Sequence, residues 1–315
     1  MKILLTGQSG QIGGELALSL KDVGEVISFS RAQMDLTDLD QVRDVIRAAR
    51  PDLIINPAAY TAVVKAESEP ALATLINAEA PGIIAQEAQR LGAALIHYST
   101  DYVFDGAQTQ PYDETAPTNP INVYGQSKLG GEQAVARYCE AHWILRTSWV
   151  YGVQGGNFMK TVIRLAQEQP QFTMNCDQFG APTWARTVSR VTSELLTNNR
   201  GSGNAARGPD RIRDTAGIYH LTAAGETSWY EYASFIVDHL QARGVPTKIA
   251  GSAAITPIPT TTGPLLPDRP KNSRLAIGKL ESTFQIRMPH WRSDAEKCLD
   301  EIIDNSAIIR AGGSA

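Results

Sequence analysis

The chain has 315 residues, of which 43% are apolar, enough for one large domain or for a domain with a smaller lobe. Its formal net charge is −4, with acidic and basic residues interleaved, which argues against nucleic acid as a partner. No apolar run approaches the length needed to span a bilayer, so we expect no membrane partner.

The first 150 residues alternate between short apolar runs and amphipathic stretches. The runs predict strands in "KILLTG", "EVISFS", "DLIINPA", "ALIHYST" and "WILRTSWV". The stretches between them predict helices at residues 11–21, 38–49, 68–91 and 123–138. This rhythm is typical of an α/β fold, a Rossmann-like doubly wound parallel sheet covered on both faces.

The rhythm loosens after residue 150. A helix is predicted at residues 157–168, and we expect residues 151–315 to form mainly a smaller lobe, with parts of it contributing to the first domain. Residues 198–217 are rich in Gly, Asn and charged residues with few apolar anchors, which predicts a mobile surface insertion.

A glycine-rich loop, "TGQSGQIG", follows the first predicted strand and opens a helix. Gly7, Gly10 and Gly13 have GxxGxxG spacing. Glycines let the backbone turn tightly and approach a pyrophosphate, whose charge the helix N-terminus then holds. In this position the motif favours dinucleotide binding over a merely tight turn.

The end of the second strand, "SFSRAQMD", has Ser30 and Arg31 where a ribose-binding acid is often found. An arginine there can pair with a 2′-phosphate, which favours NADPH, with NADH as the alternative. A solvated loop arginine is equally compatible with the sequence. Asp35 and Leu36 are expected near the adenine.

Polar residues end the fourth strand, in "HYSTDYVFDG". Ser99, Thr100 and Asp101 fall at its carboxyl end, the edge at which open parallel sheets bind ligands. Tyr124 and Lys128, four residues apart on a predicted helix, share one face, so the ammonium is expected to lower the pKa of the phenol. Tyr124 would protonate a carbonyl oxygen as hydride reaches its carbon, with Thr100 donating a second hydrogen bond.

Several motifs in order, "NPAAYTAVVKAESEP", "HYSTDYVFDG", "NVYGQSKLGGE", "RTSWVYG" and "DQFGAPT", resemble the dTDP-4-dehydrorhamnose reductases of the extended short-chain dehydrogenase/reductase superfamily. The resemblance runs from residue 1 to about residue 300. It implies an NAD(P)-binding Rossmann domain, a C-terminal sugar-nucleotide lobe, and NAD(P)H-dependent reduction of the C4 ketone of dTDP-4-dehydro-L-rhamnose.

The resemblance also implies individual roles. Tyr124 corresponds to the proton donor and Lys128 to its partner, which also binds the nicotinamide ribose. The other implied cofactor contacts are Gly10, Gln11, Ile12, Ala59, Tyr60 and Thr61. The implied substrate contacts are Thr100, Asp101, Trp149 and, in "LPDRPKNSRL", Arg274 as a diphosphate contact. Taken alone, Tyr124 would be interpreted as a half-buried helix aromatic and Trp149 as a core residue at a strand end. A solvated or helix-capping arginine is equally compatible with the sequence at Arg274.

The chain departs from the family pattern at two places. Val64 replaces the aspartate of "TAVDKAE", which leaves Lys65 without its acidic neighbour. Some members dimerise through magnesium held by acids, one resembling Glu15, but here Arg186 and Arg190 occupy the helix where further acids would be needed. We therefore expect no metal, and a monomer or a weak homodimer.

The cysteines and histidines show no ligand pattern. Three cysteines without CxxC spacing predict reduced structural thiols and a cytoplasmic protein; they are Cys139, Cys176 and Cys298. The glycines from residue 7 onward interrupt the N-terminal apolar run, so we expect no signal peptide. The five histidines are expected to be structural: His97, His142, His220, His239 and His290.

Two other functions share these motifs. A nucleotide-sugar epimerase or dehydratase uses the same loop and Tyr/Lys pair but returns the hydride within one turnover. A non-catalytic regulatory subunit of the methionine adenosyltransferase type is a relative within the subfamily. Ser30 in place of an acid and the matches in "HYSTDYVF" and "RTSWVYG" favour the reductase over the first of these. Retention of the residues Thr100, Tyr124, Lys128 and Trp149 argues against the second.

Overall fold

The computed structural model describes residues 1–197, 208–261 and 267–312. Its strands are β1 (Lys2–Leu5), β2 (Glu25–Ser28), β3 (Leu53–Asn56), β4 (Ala94–Thr100), β5 (His142–Thr147), β6 (Val150–Tyr151), β7 (Phe172–Asn175), β8 (Phe179–Gly180), β9 (Thr183–Trp184), β10 (Gly217–His220), β11 (Thr227–Ser228) and β12 (Ile255–Ile258). Its helices are α1 (Gln11–Ser19), α2 (Leu39–Ala49), α3 (Val63–Ala66), α4 (Pro70–Thr74), α5 (Ala80–Leu91), α6 (Val123–Tyr138), α7 (Phe158–Glu168), α8 (Ala185–Thr197), α9 (Pro209–Asp214), α10 (Trp229–Ala242), α11 (Gly278–Phe284) and α12 (Trp291–Gly312).

A six-stranded parallel sheet, in the order β10–β5–β4–β3–β1–β2, forms the centre of the fold. The strand order reverses between β1 and β3, where such sheets open a crevice for ligands. One face packs against α1, α8, α9 and α11, and the other against α2, α5 and α6. The predicted doubly wound α/β fold is confirmed. Its strands could be identified in the sequence because strands buried on both faces require apolar residues throughout.

Helix α6 begins and ends at the predicted residues. The side chain of Asn122 caps its N-terminus by accepting a hydrogen bond from the Gly125 amide at 2.8 Å. This cap fixes where the helix starts, and so where Tyr124 and Lys128 lie on its first turns.

The helix predicted at residues 68–91 is interrupted. Between α4 and α5 the backbone widens into a π-helix at Leu75–Glu79. Asn77, within this segment, is 1% exposed and bonds to two other parts of the chain. Such widened turns are frequent at functional sites.

The second half contributes to both parts of the molecule. It supplies β10 and α8 to the parallel sheet and its cover. A separate apolar core lies among α7, α10 and α12, next to the short pairs β6–β9 and β7–β12.

The surface insertion predicted at residues 198–217 is only partly testable, because residues 198–207 lie outside the described residues. The remainder is not a surface insertion: it folds into α9, whose Ile212 is 0% exposed and packs in the core below the sheet. This helix is anchored by one apolar side chain among charged neighbours, and a single apolar residue is too weak a pattern to predict a helix from the sequence. Among helices of the described residues, none has the length and apolar composition to cross a membrane.

Candidate active site

The glycine loop makes a tight turn in which two of its glycines leave no room for a Cβ. Gly7 has a left-handed φ of 60°, and a Cβ on Gly13 would lie 2.0 Å from the Gly7 carbonyl oxygen. Gly10 caps α1 without a side-chain hydrogen bond, so the first amides of Gln11 and Ile12 face outward from the helix. Free amides at a helix N-terminus fit a pyrophosphate.

The turn after β2 presents an exposed cation. Arg31 has a side chain 78% exposed, and its Nε lies 3.4 Å from the Asp35 carboxylate. Hydrogen bonds from the backbone amide and the hydroxyl of Thr37 hold the pKa of Asp35 below its usual value. Ser30 donates to Gln33, and Leu36 is buried in the core with 9% exposure. An exposed, weakly paired Arg31 can reach an added phosphate.

The "AAYT" loop is fastened by Asn77, a residue that sequence reasoning missed. Asn77 accepts from the Tyr60 amide at 2.8 Å and donates to the Tyr60 carbonyl at 3.0 Å. Its Nδ2 also donates to Ser127 on α6 at 3.0 Å. Asn77 therefore joins the loop of Ala59, Tyr60 and Thr61 to the helix that carries Tyr124 and Lys128.

The loss of the family aspartate at Val64 is compensated locally. Val64 is 47% exposed. Lys65 pairs instead with Glu69 one turn later, at 2.8 Å, and the hydroxyl of Tyr60 donates to the same carboxylate at 2.7 Å. Lys65 therefore has an acidic partner despite the substitution.

Tyr124 meets the end of β4. Burial raises the pKa of Tyr124 above its ordinary value, and the nearby Thr100 hydroxyl opposes the rise. The Thr100 hydroxyl donates its one hydrogen to Asp101 at 3.0 Å. A raised pKa keeps the phenol protonated at neutral pH, which suits a proton donor.

Lys128 lies beneath this group with 2% exposure. Its Nζ donates to the Tyr98 carbonyl at 2.7 Å and lies 3.4 Å from Nε2 of His97. Burial lowers the pKa of Lys128 to about 8, and the Glu132 carboxylate opposes the fall. Burial is the largest influence on the pKa of Tyr124, and it acts in the direction opposite to the lowering expected from the ammonium.

Asp101 is a buried carboxyl, 3% exposed. Burial raises its pKa to about 6, against the influence of the Ser273 and Thr100 hydroxyls. Ser273 belongs to the segment "LPDRPKNSRL", which also contacts the start of α6 through a 2.8 Å bond from Asn122 to the Asp268 carbonyl. The second half of the chain thus reaches over the carboxyl edge of the sheet.

Arg274 in that segment is held by protein groups. Its guanidinium donates to Asn272 at 2.8 Å, to the Thr109 carbonyl at 2.6 Å and to Glu226 at 3.1 Å. A contact between Arg274 and a diphosphate stays a prediction, and it would require exchange of one of these partners.

Trp149 lies two residues beyond β5, beside the end of β4. Its ring stacks on Trp229 of α10, with centroids 3.5 Å apart and planes at 11°. Sequence reasoning did not select Trp229, since an aromatic at the start of an amphipathic helix is an ordinary core residue.

The acidic residues near Glu15 are paired with an arginine. Arg186 donates to both oxygens of Glu15 at 3.1 and 3.3 Å and to Glu301 at 2.5 and 2.9 Å. Arg190 pairs with Glu194 instead. Within the described ranges, no three His, Cys, Asp or Glu side chains gather as metal ligands would.

Comparison with known proteins identifies relatives over nearly the whole chain. The family model described as "RmlD substrate binding domain" matches residues 1–303. A dTDP-4-dehydrorhamnose reductase of Burkholderia thailandensis is 43% identical over 303 residues, covering 96% of this chain and 99% of that protein. The enzyme of the same name from Escherichia coli K12 is 42% identical over 312 residues, covering 98% of this chain and 100% of its own.

A solved structure has the same fold. The crystal structure of dTDP-4-dehydrorhamnose reductase from Bacillus anthracis, in complex with NADP, superposes with a TM-score of 0.82 at 33% identity. The match covers 95% of this chain and 98% of that one.

Proposed function

The chain belongs to the RmlD substrate binding domain family, and from this premise we propose that it is an NAD(P)H-dependent oxidoreductase, a dTDP-4-dehydrorhamnose reductase. It reduces the C4 ketone of dTDP-4-dehydro-L-rhamnose to give dTDP-L-rhamnose. The observation that carries this proposal is the placement of Tyr124 on the first turn of α6, beside the Thr100 hydroxyl at the carboxyl edge of the sheet.

Two features fit a dinucleotide. The Gly7–Gly13 turn, which a Cβ would fill, and the uncapped N-terminus of α1 suit the pyrophosphate. The exposed guanidinium of Arg31 suits a 2′-phosphate, so we assign NADPH as the cofactor, with NADH as the alternative. The NADP complex of the Bacillus anthracis relative supports this assignment.

The reaction divides between cofactor and protein. When bound, the nicotinamide supplies the hydride that reduces the ketone carbon. Tyr124 gives its proton to the oxygen on which negative charge develops, and the Thr100 hydroxyl, turned from Asp101, donates a hydrogen bond to the same oxygen. To Lys128, in its ammonium form, we assign positive charge near the phenol and a contact with the nicotinamide ribose.

The remaining proposed roles concern the loops and lobes that would bind the cofactor and the sugar nucleotide. We assign the ribose and nicotinamide side of the cofactor to Ala59, Tyr60 and Thr61, and the sugar nucleotide to Asp101, Trp149 and Arg274. Residues 1–150 would form the cofactor domain and residues 151–315 mainly the sugar-nucleotide lobe. Three free cysteines support a cytoplasmic protein, and the Arg186 ion pairs support a monomer or weak dimer without metal.

A coupled assay tests the proposal. dTDP-4-dehydro-L-rhamnose is generated in place, and absorbance at the nicotinamide band follows NADPH and NADH in parallel reactions. We expect oxidation of one equivalent of NADPH per sugar, faster than with NADH at equal concentration. No net oxidation of either cofactor would contradict the reductase and favour an epimerase, a dehydratase or a non-catalytic subunit.

A further inference from the structure

Trp149 has a backbone conformation that needs an explanation. Its φ is 48°, in the left-handed region that bulky side chains avoid. Two other non-glycine residues in the described ranges have positive φ, Arg50 and Gln285, and each ends a helix, where this conformation is common. Trp149 ends no helix. A strained residue of this kind persists only where its surroundings hold it.

Trp229 holds one face of the Trp149 ring. The centroids are 3.5 Å apart and the planes nearly parallel, at 11°. Phe158 packs against Trp229 at 4.2 Å, and Trp229 Nε1 donates to Gln178 Oε1 at 3.0 Å. Trp229 is thus fixed by a ring and by a hydrogen bond, and its position fixes that of Trp149.

Gly180 provides the space in which Trp149 lies. A Cβ on Gly180 would come within 2.6 Å of Cε2 of Trp149, inside van der Waals contact. Gly180 pairs with Thr227 across β8 and β11, two residues before Trp229. The strand pair therefore brings the glycine and the stacking ring to Trp149 together.

Trp149 follows a strand that ends at the carboxyl edge of the sheet, where the proposed reduction takes place. Thr147, at the end of β5, is in register with Thr100 at the end of β4, and Trp149 follows two residues later. The amide of Thr183 donates to the Trp149 carbonyl at 3.2 Å, which fastens the backbone after the strand. The backbone of Trp149 therefore follows the strand end that neighbours Thr100.

We propose that Trp229 and Gly180 are positioning residues for the sugar nucleotide, which hold Trp149 in its left-handed conformation as a fixed wall of the sugar site. The inference rests on the proposed function. It adds a reason for two residues that touch neither the cofactor loop nor Tyr124. With Trp229 against one face of the indole and Gly180 against the other, they fix the exposed edge of Trp149 before substrate arrives, so that binding does not have to order it.

The test compares substitutions at Trp229 and Gly180 with a distant glycine. Trp229→Leu removes the stack, and Trp229→Phe restores an aromatic face. Gly180→Ala displaces Trp149 while keeping both indoles, and Gly278→Ala is the control, since a Cβ at the start of α11 would meet nothing within 4 Å. KM for dTDP-4-dehydro-L-rhamnose, kcat and the Kd of NADPH are measured, with near-ultraviolet circular dichroism to report the indole stack.

We expect Trp229→Leu and Gly180→Ala to raise KM for the sugar nucleotide about tenfold, with Trp229→Phe between them and the parent. In these variants the Kd of NADPH should stay within about twofold of the parent value. In the control Gly278→Ala, both KM for the sugar nucleotide and the Kd of NADPH should be unchanged. Equal losses of sugar and NADPH affinity, or an unchanged KM in the Trp229 variants, would overturn the inference. A Gly180→Ala protein that does not fold leaves the Trp229 pair to decide. Absence of turnover in the parent itself would instead refute the proposed function, and this inference with it.

Discussion

Breaking the buried ion pair between Glu132 and Arg146 is expected to destabilise the fold strongly. Arg146 on β5 donates to both carboxylate oxygens of Glu132 on α6, at 2.8 and 2.6 Å, and the side chains are 3% (Glu132) and 2% (Arg146) exposed. Glu132→Gln leaves the guanidinium buried without a counter-charge. Removing one partner of such a pair lowers the free energy of unfolding by about 3–5 kcal/mol.

Urea titration followed by tryptophan fluorescence measures this loss. The matched control is Glu168→Gln, which breaks an exposed pair with Arg164, 61% and 56% exposed, and is expected to cost about 0–0.5 kcal/mol. The double variant Glu132→Gln with Arg146→Met should lose less than the sum of the two single variants, because no buried charge remains. A loss from Glu132→Gln as small as that of the control would refute the reasoning.

The same substitution should shift the pH dependence of activity through Lys128. Its pKa is about 8, lowered by burial and supported by Glu132. His97, which also faces the ammonium, stays neutral because burial lowers its pKa well below the ordinary value. Activity that needs the ammonium is present below the pKa of Lys128 and lost as pH rises through it. In Glu132→Gln, with the Arg146 charge retained, that loss should occur at lower pH; an unmoved alkaline limb would contradict the role of Lys128.

Three further predictions concern the proton donor, the cofactor and metal. Tyr124→Phe should keep NADPH affinity and lower kcat about 10²- to 10⁴-fold. Tyr138→Phe, at the exposed end of the same helix, should leave kcat unchanged. More than half the parent activity in Tyr124→Phe would exclude Tyr124 as the proton donor. Arg31→Ala should weaken NADPH by about 1.5–3 kcal/mol and NADH little, measured by titrating both cofactors; equal losses would show that Arg31 does not contact the 2′-phosphate. Activity and sedimentation should be the same in EDTA and in millimolar magnesium, because Arg186 already neutralises Glu15; a rise in both mass and rate would point to a metal site.

The sheet and the helix of Tyr124 were predictable because their determinants are local. A parallel strand buried on both faces is a continuous apolar run, as in "ALIHYST", and Asn122 before an amphipathic stretch predicts the start of α6. The glycine turn was predictable for the same reason, since its spacing lies within seven residues.

The features missed depend on contacts between distant segments. The π-helix around Asn77 accompanies bonds to Tyr60 and Ser127, which are 17 and 50 residues away in the chain. Trp229 follows Trp149 by 80 residues, and no periodicity in either segment indicates that the rings stack. The burial that raises the pKa of Tyr124 could not be predicted, because the sequence shows only the spacing between the tyrosine and the lysine.

Transfer of deuterium tests the central claim most directly. The protein is incubated with dTDP-4-dehydro-L-rhamnose and NADPH deuterated at both C4 positions of the nicotinamide, and the sugar is analysed by mass spectrometry and NMR. We predict one deuterium at C4 of dTDP-L-rhamnose for each NADPH oxidised, with Tyr124→Phe giving the same labelled product at a much lower rate. A sugar product without deuterium, or one formed without net loss of NADPH, would contradict the account.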